Sequence, residues 1–373
     1  MCSPQILISP IVRTLVGGCM VLCLVACQSS KGPSYDLPDS YALDQISRVI
    51  AAADQDLSED GNAGLAFARL QVAHETAGAK GQVGQRLESA RSNAAEAFLK
   101  ELQAQDAPPA YFYRLIDAGL QRNLAVRARI AQARSYLNRG ERMKAYRKIK
   151  AMDLEYPFHA EREASGNVLA DAGLSLAKDP RRYSLFFRYR KLAPELLEYL
   201  VAQYPTHPAG PEAYTHLARL YVESNELELA IQRHEDLVVY FGDSDRVPFS
   251  RARIPALRLD LIRRADFDRH PMELARAECE SWLDTYGGQG FEEEDGVRQN
   301  LLLAIRQLAA HDRVVSGFYR TVDNDYGAEF HARRALELAR EGGSEEQIED
   351  AQVLLDKILG SSPSEPEAVG VQP

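Results

Sequence analysis

Three tyrosines in this chain are each followed nine residues later by an alanine: Tyr136 by Ala145, Tyr221 by Ala230 and Tyr319 by Ala328. Around the first two, ARSYLNRGERMKAYRKIKAMDLEYP aligns with ARLYVESNELELAIQRHEDLVVYFG, an Ala–Arg pair standing just before each tyrosine. The constraint is steric. Small residues at Ala133, Ala145, Ala218 and Ala230 let two antiparallel helices approach closely, the tyrosine fills the groove beside them, and Pro157 closes the second helix. One such pair cannot bury its apolar face alone, so neighbouring units stack into a solenoid with a concave face.

Each unit resembles the tetratricopeptide repeat, about 34 residues forming two antiparallel helices. APELLEYLVAQYP supplies another second helix, with Ala193, Leu197, Leu200 and Pro205 in register. LARAECESWLDTYGG matches LAIQRHEDLVVYFGD, Trp282 standing for Leu237 and Gly287 for Gly242. The expected units are 124–157, 165–205, 211–242, 250–287 and 305–340. The fold class is therefore all-α: a tetratricopeptide-repeat solenoid of about five helix pairs, with an extra N-terminal helical segment over 41–123. That segment carries LDQISRVIAAADQDL, AGLAFARLQVAHET and VGQRLESARSNAAEAFLKELQ, apolar at helical spacing, and APPA (107–110) breaks the third. A C-terminal helix is expected over 341–359 and a disordered tail over 360–373.

The amino terminus reads as a secretory signal over 1–26: Arg13, then the apolar TLVGGCMVLCLVA, too short for a membrane-spanning helix. LVACQSS ends it and resembles a bacterial lipobox, with Leu24, Val25 and Ala26 before Cys27, the residue such a signal lipidates. Stable anchoring needs several acyl chains, since each buried methylene contributes about 0.8 kcal/mol. Gln28 after the cysteine points by that resemblance to the outer membrane, and the polar residues 27–40 to a flexible tether. Cys2, Cys19 and Cys23 fall in the removed segment, so Cys279 is left alone and no intrachain disulfide is expected.

Of the 373 residues 45% are hydrophobic and 26% charged, an ordinary globular balance, and the formal net charge is −10. That acidic balance argues against a nucleic-acid partner, which would want a basic face.

The lipobox and the repeats, together with EYPF (155–158), YPTHP (204–208) and the LAAHDRVVSGFY block, resemble the BamD, or competence lipoprotein, family over about 124–340. That resemblance implies a lipid-anchored scaffold on the periplasmic face of the outer membrane, serving the β-barrel assembly machinery. The implied partners are periplasmic domains of the central barrel and C-terminal segments of unfolded barrel proteins. Phe241–Gly242 replaces the usual Tyr-Pro, and ADFDRHP and GGQGFEEEDG lengthen the later repeats. The alternative is another envelope adaptor, such as a coordinator of the Tol–Pal division system; a trimerising N-terminal coiled coil would favour it, and 41–105 holds no sustained heptads.

Arg127, Arg134, Arg219, Arg313 and Arg320 fall at groove-facing positions of the repeats, where a planar guanidinium suits a peptide carboxylate. The competing reading pairs them with glutamates on adjacent helices. RRYSLFFRYRK (181–191) interleaves basic and aromatic residues, as partner surfaces and buried helix faces both do. His234–Glu235 lacks the second histidine of a zinc-protease helix, Cys279 has no metal-ligand neighbour at useful spacing, and GGQGFEEED lacks the lysine of a phosphate loop. Its acidic run reads as a solvated loop. No catalytic residue, metal or cofactor is expected.

Overall fold

The computed structural model describes residues 33–59, 61–181, 189–262, 264, 266 and 268–360, and among them it is helical, with no strand. The helices are α1 (Ile46–Ser58), α2 (Ala63–Thr76), α3 (Gly81–Ala104), the single turn α4 (Tyr113–Ile116), α5 (Arg122–Asn138), α6 (Arg142–Glu155) and α7 (Arg162–Ala177). After them come α8 (Ala193–Gln203), α9 (Gly210–Glu223), α10 (Leu227–Tyr240), α11 (Val247–Leu261) and α12 (Arg269–Tyr286). The last are α13 (Glu294–Thr321), α14 (Asp325–Gly342) and α15 (Glu345–Leu359). The five expected units thus hold α5/α6, α7 and α8, α9/α10, α11/α12 and α13/α14. The signal segment, Cys27 and the tail from 361 lie outside the described residues.

The nine-residue spacing has a backbone cause beyond steric fit. Each tyrosine carbonyl accepts from the amide five residues on: Glu141 to Tyr136 at 2.9 Å, Glu226 to Tyr221 at 2.8 Å and Asn324 to Tyr319 at 3.0 Å. A second bond tightens each turn, from Gly140 to Leu137 at 2.8 Å, Asn225 to Val222 at 3.0 Å and Asp323 to Arg320 at 3.4 Å. This Schellman pattern needs a left-handed residue just past the helix, and Gly140, Asn225 and Asp323 have φ of 75°, 60° and 52°. The next helix then starts at once, placing Ala145, Ala230 and Ala328 where the pair is closest; all three are fully buried. In the third hairpin the Tyr319 ring lies on Gly327, where an added Cβ would stand 2.8 Å from it.

Compactness divides the chain at Leu176/Ala177 rather than at the expected 123/124 boundary. In the first unit the N-terminal helices are continuous with the first hairpin. Ile46, Phe67, Leu87, Phe98 and Leu99 of α1–α3 share one core with Leu124, Ala128 and Ala131 of α5. Arg91 of α3, 2% exposed, ties this body from within: it donates to Gln71 Oε1 at 2.8 Å and to the Ala118 carbonyl at 2.9 Å, and forks onto Glu88. Gln132 and Ser135 of α5 donate to the carbonyls of Pro109 and Ala107, seating the APPA break on the first repeat.

In the second unit α8 to α15 pack each against the next, the layering of a helical-repeat solenoid. The acidic run is not wholly loop, because α13 begins at Glu294. Glu294 and Asp295 occupy its first turn, where carboxylates face the positive end of the helix. Glu294 accepts from the Gly288 amide at 2.9 Å and from Arg298 at 2.6 Å. Helix α15 opens on a capping box formed by Ser344 and Gln347.

Candidate functional site

The five arginines marked for a peptide carboxylate divide into two groups. Arg127 of α5 donates to Glu96 Oε1 of α3 at 2.6 Å, a hydrogen bond that holds the Glu96 carboxyl below its ordinary value. Arg134, two turns on, pairs with Asp171 of α7, and Arg313 of α13 pairs with Asp350 of α15 at 2.9 Å. These three spend their charge on neighbouring helices. Arg219 of α9 donates to His216 Nδ1 at 3.0 Å, and Arg320 is exposed in the last turn of α13. Among the described residues neither has a carboxylate within ion-pair distance, so both retain a fork for an outside anion. Residues 182–188 of the aromatic–basic stretch lie outside the described residues.

The second unit has two grooves that the arginine pattern did not point to. The first, about 440 Å³, has walls from Val238 and Val239 of α10 and from Leu274 and Ala277 of α12, with Ile254 of α11 below. Trp282 closes it, its Nε1 donating to the Pro248 carbonyl at 2.8 Å, and Val239 is 76% exposed. On its rim Glu235 and Glu278 share one guanidinium: Arg258 Nη2 reaches Glu235 at 2.6 Å while Nε reaches both Glu278 oxygens at 3.0 Å. Burial pushes the Glu278 carboxyl up, and nearby Glu235 adds to the shift against the opposing pull of Arg258. The second groove, about 430 Å³, lies between α12 and α14 with Leu308 of α13 lining it. Its charges are mostly interlocked, Arg276 bridging Glu280 at 2.8 Å and Glu341 at 2.6 Å. Beside it lies Asp312 of α13, fully buried, held by Arg269 at 2.7 Å, His331 at 2.7 Å and Arg334 at 3.8 Å. The first groove offers apolar contact; the second is a set of inter-helix ties.

Two serine–histidine contacts invite a catalytic reading, and geometry refuses it in both. Ser250 Oγ lies 3.2 Å from His234 Nδ1, but the two residues are buried beyond the reach of a substrate. Burial, with Arg253 adding to it, lowers the His234 pKa to about 4. In the first unit Ser165, His159 and Asp153 come together, Ser165 Oγ at 3.5 Å and Asp153 Oδ1 at 3.2 Å from the same His159 Nε2. A triad needs serine and aspartate on opposite ring nitrogens, and Ser165 is fully buried. Among the described residues no three His, Cys, Asp or Glu side chains gather to hold a metal ion, and no helix is long and apolar enough to cross a membrane. Cys279 is buried, its thiol pushed up to about 12 by that burial.

No family model and no curated protein matches the chain. Among solved structures, a tetratricopeptide repeat protein from Parabacteroides merdae is 11% identical, with 85% of this chain and 99% of that one covered at a TM-score of 0.25. A circular tandem repeat protein with novel repeat topology is 12% identical, with 85% and 88% covered at a TM-score of 0.21. At such scores neither likeness carries an argument, and the helix pairs themselves define the fold.

Proposed function

We propose that this chain is a protein-binding scaffold of the bacterial envelope, lipid-anchored through Cys27 on the periplasmic face of the outer membrane and serving β-barrel assembly. The observation that carries the scaffold reading is the run of stacked helix pairs from α8 to α15, with an apolar groove left open between α10 and α12. Stacked pairs of this kind present long ridged surfaces suited to extended or helical polypeptides. LVACQSS supports the anchor, and the EYPF, YPTHP and LAAHDRVVSGFY segments support the assembly-machine role. In this reading the Val238–Val239 groove takes an apolar side chain of a partner, and Arg219 and Arg320 receive carboxylates of client segments. The Tol–Pal alternative would be favoured by an N-terminal coiled coil, whereas α1–α3 close on their own core with α5.

The test is purification of the tagged chain from gently solubilised envelopes and identification of what accompanies it. An outer-membrane barrel with periplasmic domains is the expected companion, and Val239→Asp is expected to reduce its recovery at least tenfold without loss of helical signal. A Tol–Pal or cell-wall companion instead would overturn the assembly role while leaving a scaffold.

A further inference from the structure

Residues 33–42 have no regular secondary structure, yet they are seated on the first unit. Half-buried Pro33, Tyr35 and Leu37 alternate with exposed Ser34 and Asp36, the pattern of an extended arm with one face turned in. Tyr35 lies where α2 has no side chain: a Cβ on Gly64 would stand 1.9 Å from the Tyr35 hydroxyl and 2.9 Å from the Phe98 ring. The Arg114 guanidinium rests over the Tyr35 ring, 5.0 Å from its centroid. Leu37 and Pro38 continue over Phe67, Ala68 and Val72, enclosing about 370 Å³. At the far end of α2 the Tyr41 amide donates to Thr76 Oγ1 at 3.0 Å. The two lengths agree: twelve helical residues from Gly64 to Thr76 span ~18 Å, and six extended residues from Tyr35 to Tyr41 span ~20 Å.

We propose that residues 33–41 are a docked strap that fixes where the amino-terminal tether leaves the folded body and how far that body stands from the membrane. The proposal rests on Cys27 being the anchor. With the strap docked, eight residue steps separate Cys27 from Tyr35, a reach of at most ~28 Å; with it released, the sixteen steps to Leu43 reach ~55 Å. Docking therefore halves the tether and raises the local concentration of the repeats for membrane-held partners. Glycine at 64 is what makes room for the ring, and Arg114 covers it.

The experiment uses the lipidated chain in vesicles of phosphatidylethanolamine and phosphatidylglycerol, with Tyr35→Ala and Arg114→Ala as the variants. Tyr35 projects from the arm, so its truncation leaves the core of α1–α5 in place. In the parent chain the Tyr41 amide is expected to exchange slowly, and each variant is expected to speed that exchange at least tenfold with helical content unchanged. Energy transfer from a fluorophore at Gln85→Cys to labelled lipid is expected to fall in the same variants. A Tyr41 amide that exchanges equally fast in all three chains would overturn the strap. Exchange that responds while transfer does not, in a chain that floats with vesicles, would overturn the control of distance. Failure of the anchor reading shows separately, as a parent chain that does not float while its Tyr41 amide is still protected.

Discussion

Asp312 is a carboxylate with no solvent exposure, set in a helix whose pattern reads as simply amphipathic. Its charge is tolerable because α12 supplies Arg269 and α14 supplies His331 and Arg334. Removing one member of a buried pair strands the others, at a cost of about 3–5 kcal/mol. Asp312→Ala is therefore expected to lose about 3 kcal/mol in urea unfolding, near the low end because Arg269 keeps Glu273. His234 gives the second residue-scale expectation. Its folded pKa of about 4 lies below the ordinary 6.5, so between these values the unfolded chain binds more protons. Stability from this group is whole above pH ~6.5 and declines as pH falls toward ~4, by about 3 kcal/mol at most. Denaturant midpoints at pH 7 and 4.5 should show that loss, and His234→Gln should flatten it. Neither residue announces its role in sequence, since Arg269 lies 43 positions from Asp312 and Ser250 lies 16 from His234.

At the scale of elements the hairpin turn is the repeated device. Gly140 takes φ 75° without strain, whereas Asp323 adopts φ 52° with a side chain. Left-handed backbone costs an L-residue about 1–2 kcal/mol, so Gly140→Ala is expected to destabilise by about 1 kcal/mol. Asp323→Gly is expected to stabilise by less, because glycine also gives the unfolded chain more freedom. Thermal or urea midpoints of the two variants should move in opposite directions. The tyrosine–alanine spacing was legible in the sequence because both ends lie within ten residues, whereas the left-handed turn between them was not read, since Gly140, Asn225 and Asp323 fill it with three different residue types. Helix α13 was read eleven residues too short because its first turns carry no side-chain cap to mark them, and Glu294 at its start is instead fixed by the Gly288 amide of the preceding loop. The apolar groove was not legible at all, for it needs Val239, Ile254 and Leu274 from three helices at once.

For the whole molecule the proposed anchor and the buried thiol of Cys279 give the most direct measurements. Cys27→Ala is expected to leave the helices folded and release the chain from membranes or stall its processing; unchanged membrane retention would count against the lipobox. In a chain processed as proposed, with Cys27 lipidated, Cys279 is the thiol left for maleimide, and its burial makes modification wait for unfolding. Labelling rates across a denaturant series should therefore track loss of the α11–α13 packing around Trp282.

By itself the sequence determined the all-helical repeat class and the hairpin spacing marked by Tyr136, Tyr221 and Tyr319. Those follow from 3.6-residue periodicity and turn chemistry, which are local and so readable along one strand of text. Tertiary structure decided what distant residues do when helices meet. It sent Arg127, Arg134 and Arg313 to carboxylates on neighbouring helices, merged the N-terminal segment with the first repeat, and buried Asp312 among two arginines and a histidine. It also laid residues 33–41 along α2. Each of these depends on which side chains face one another across a packed interface, and that register is set by the whole stack rather than by any one segment.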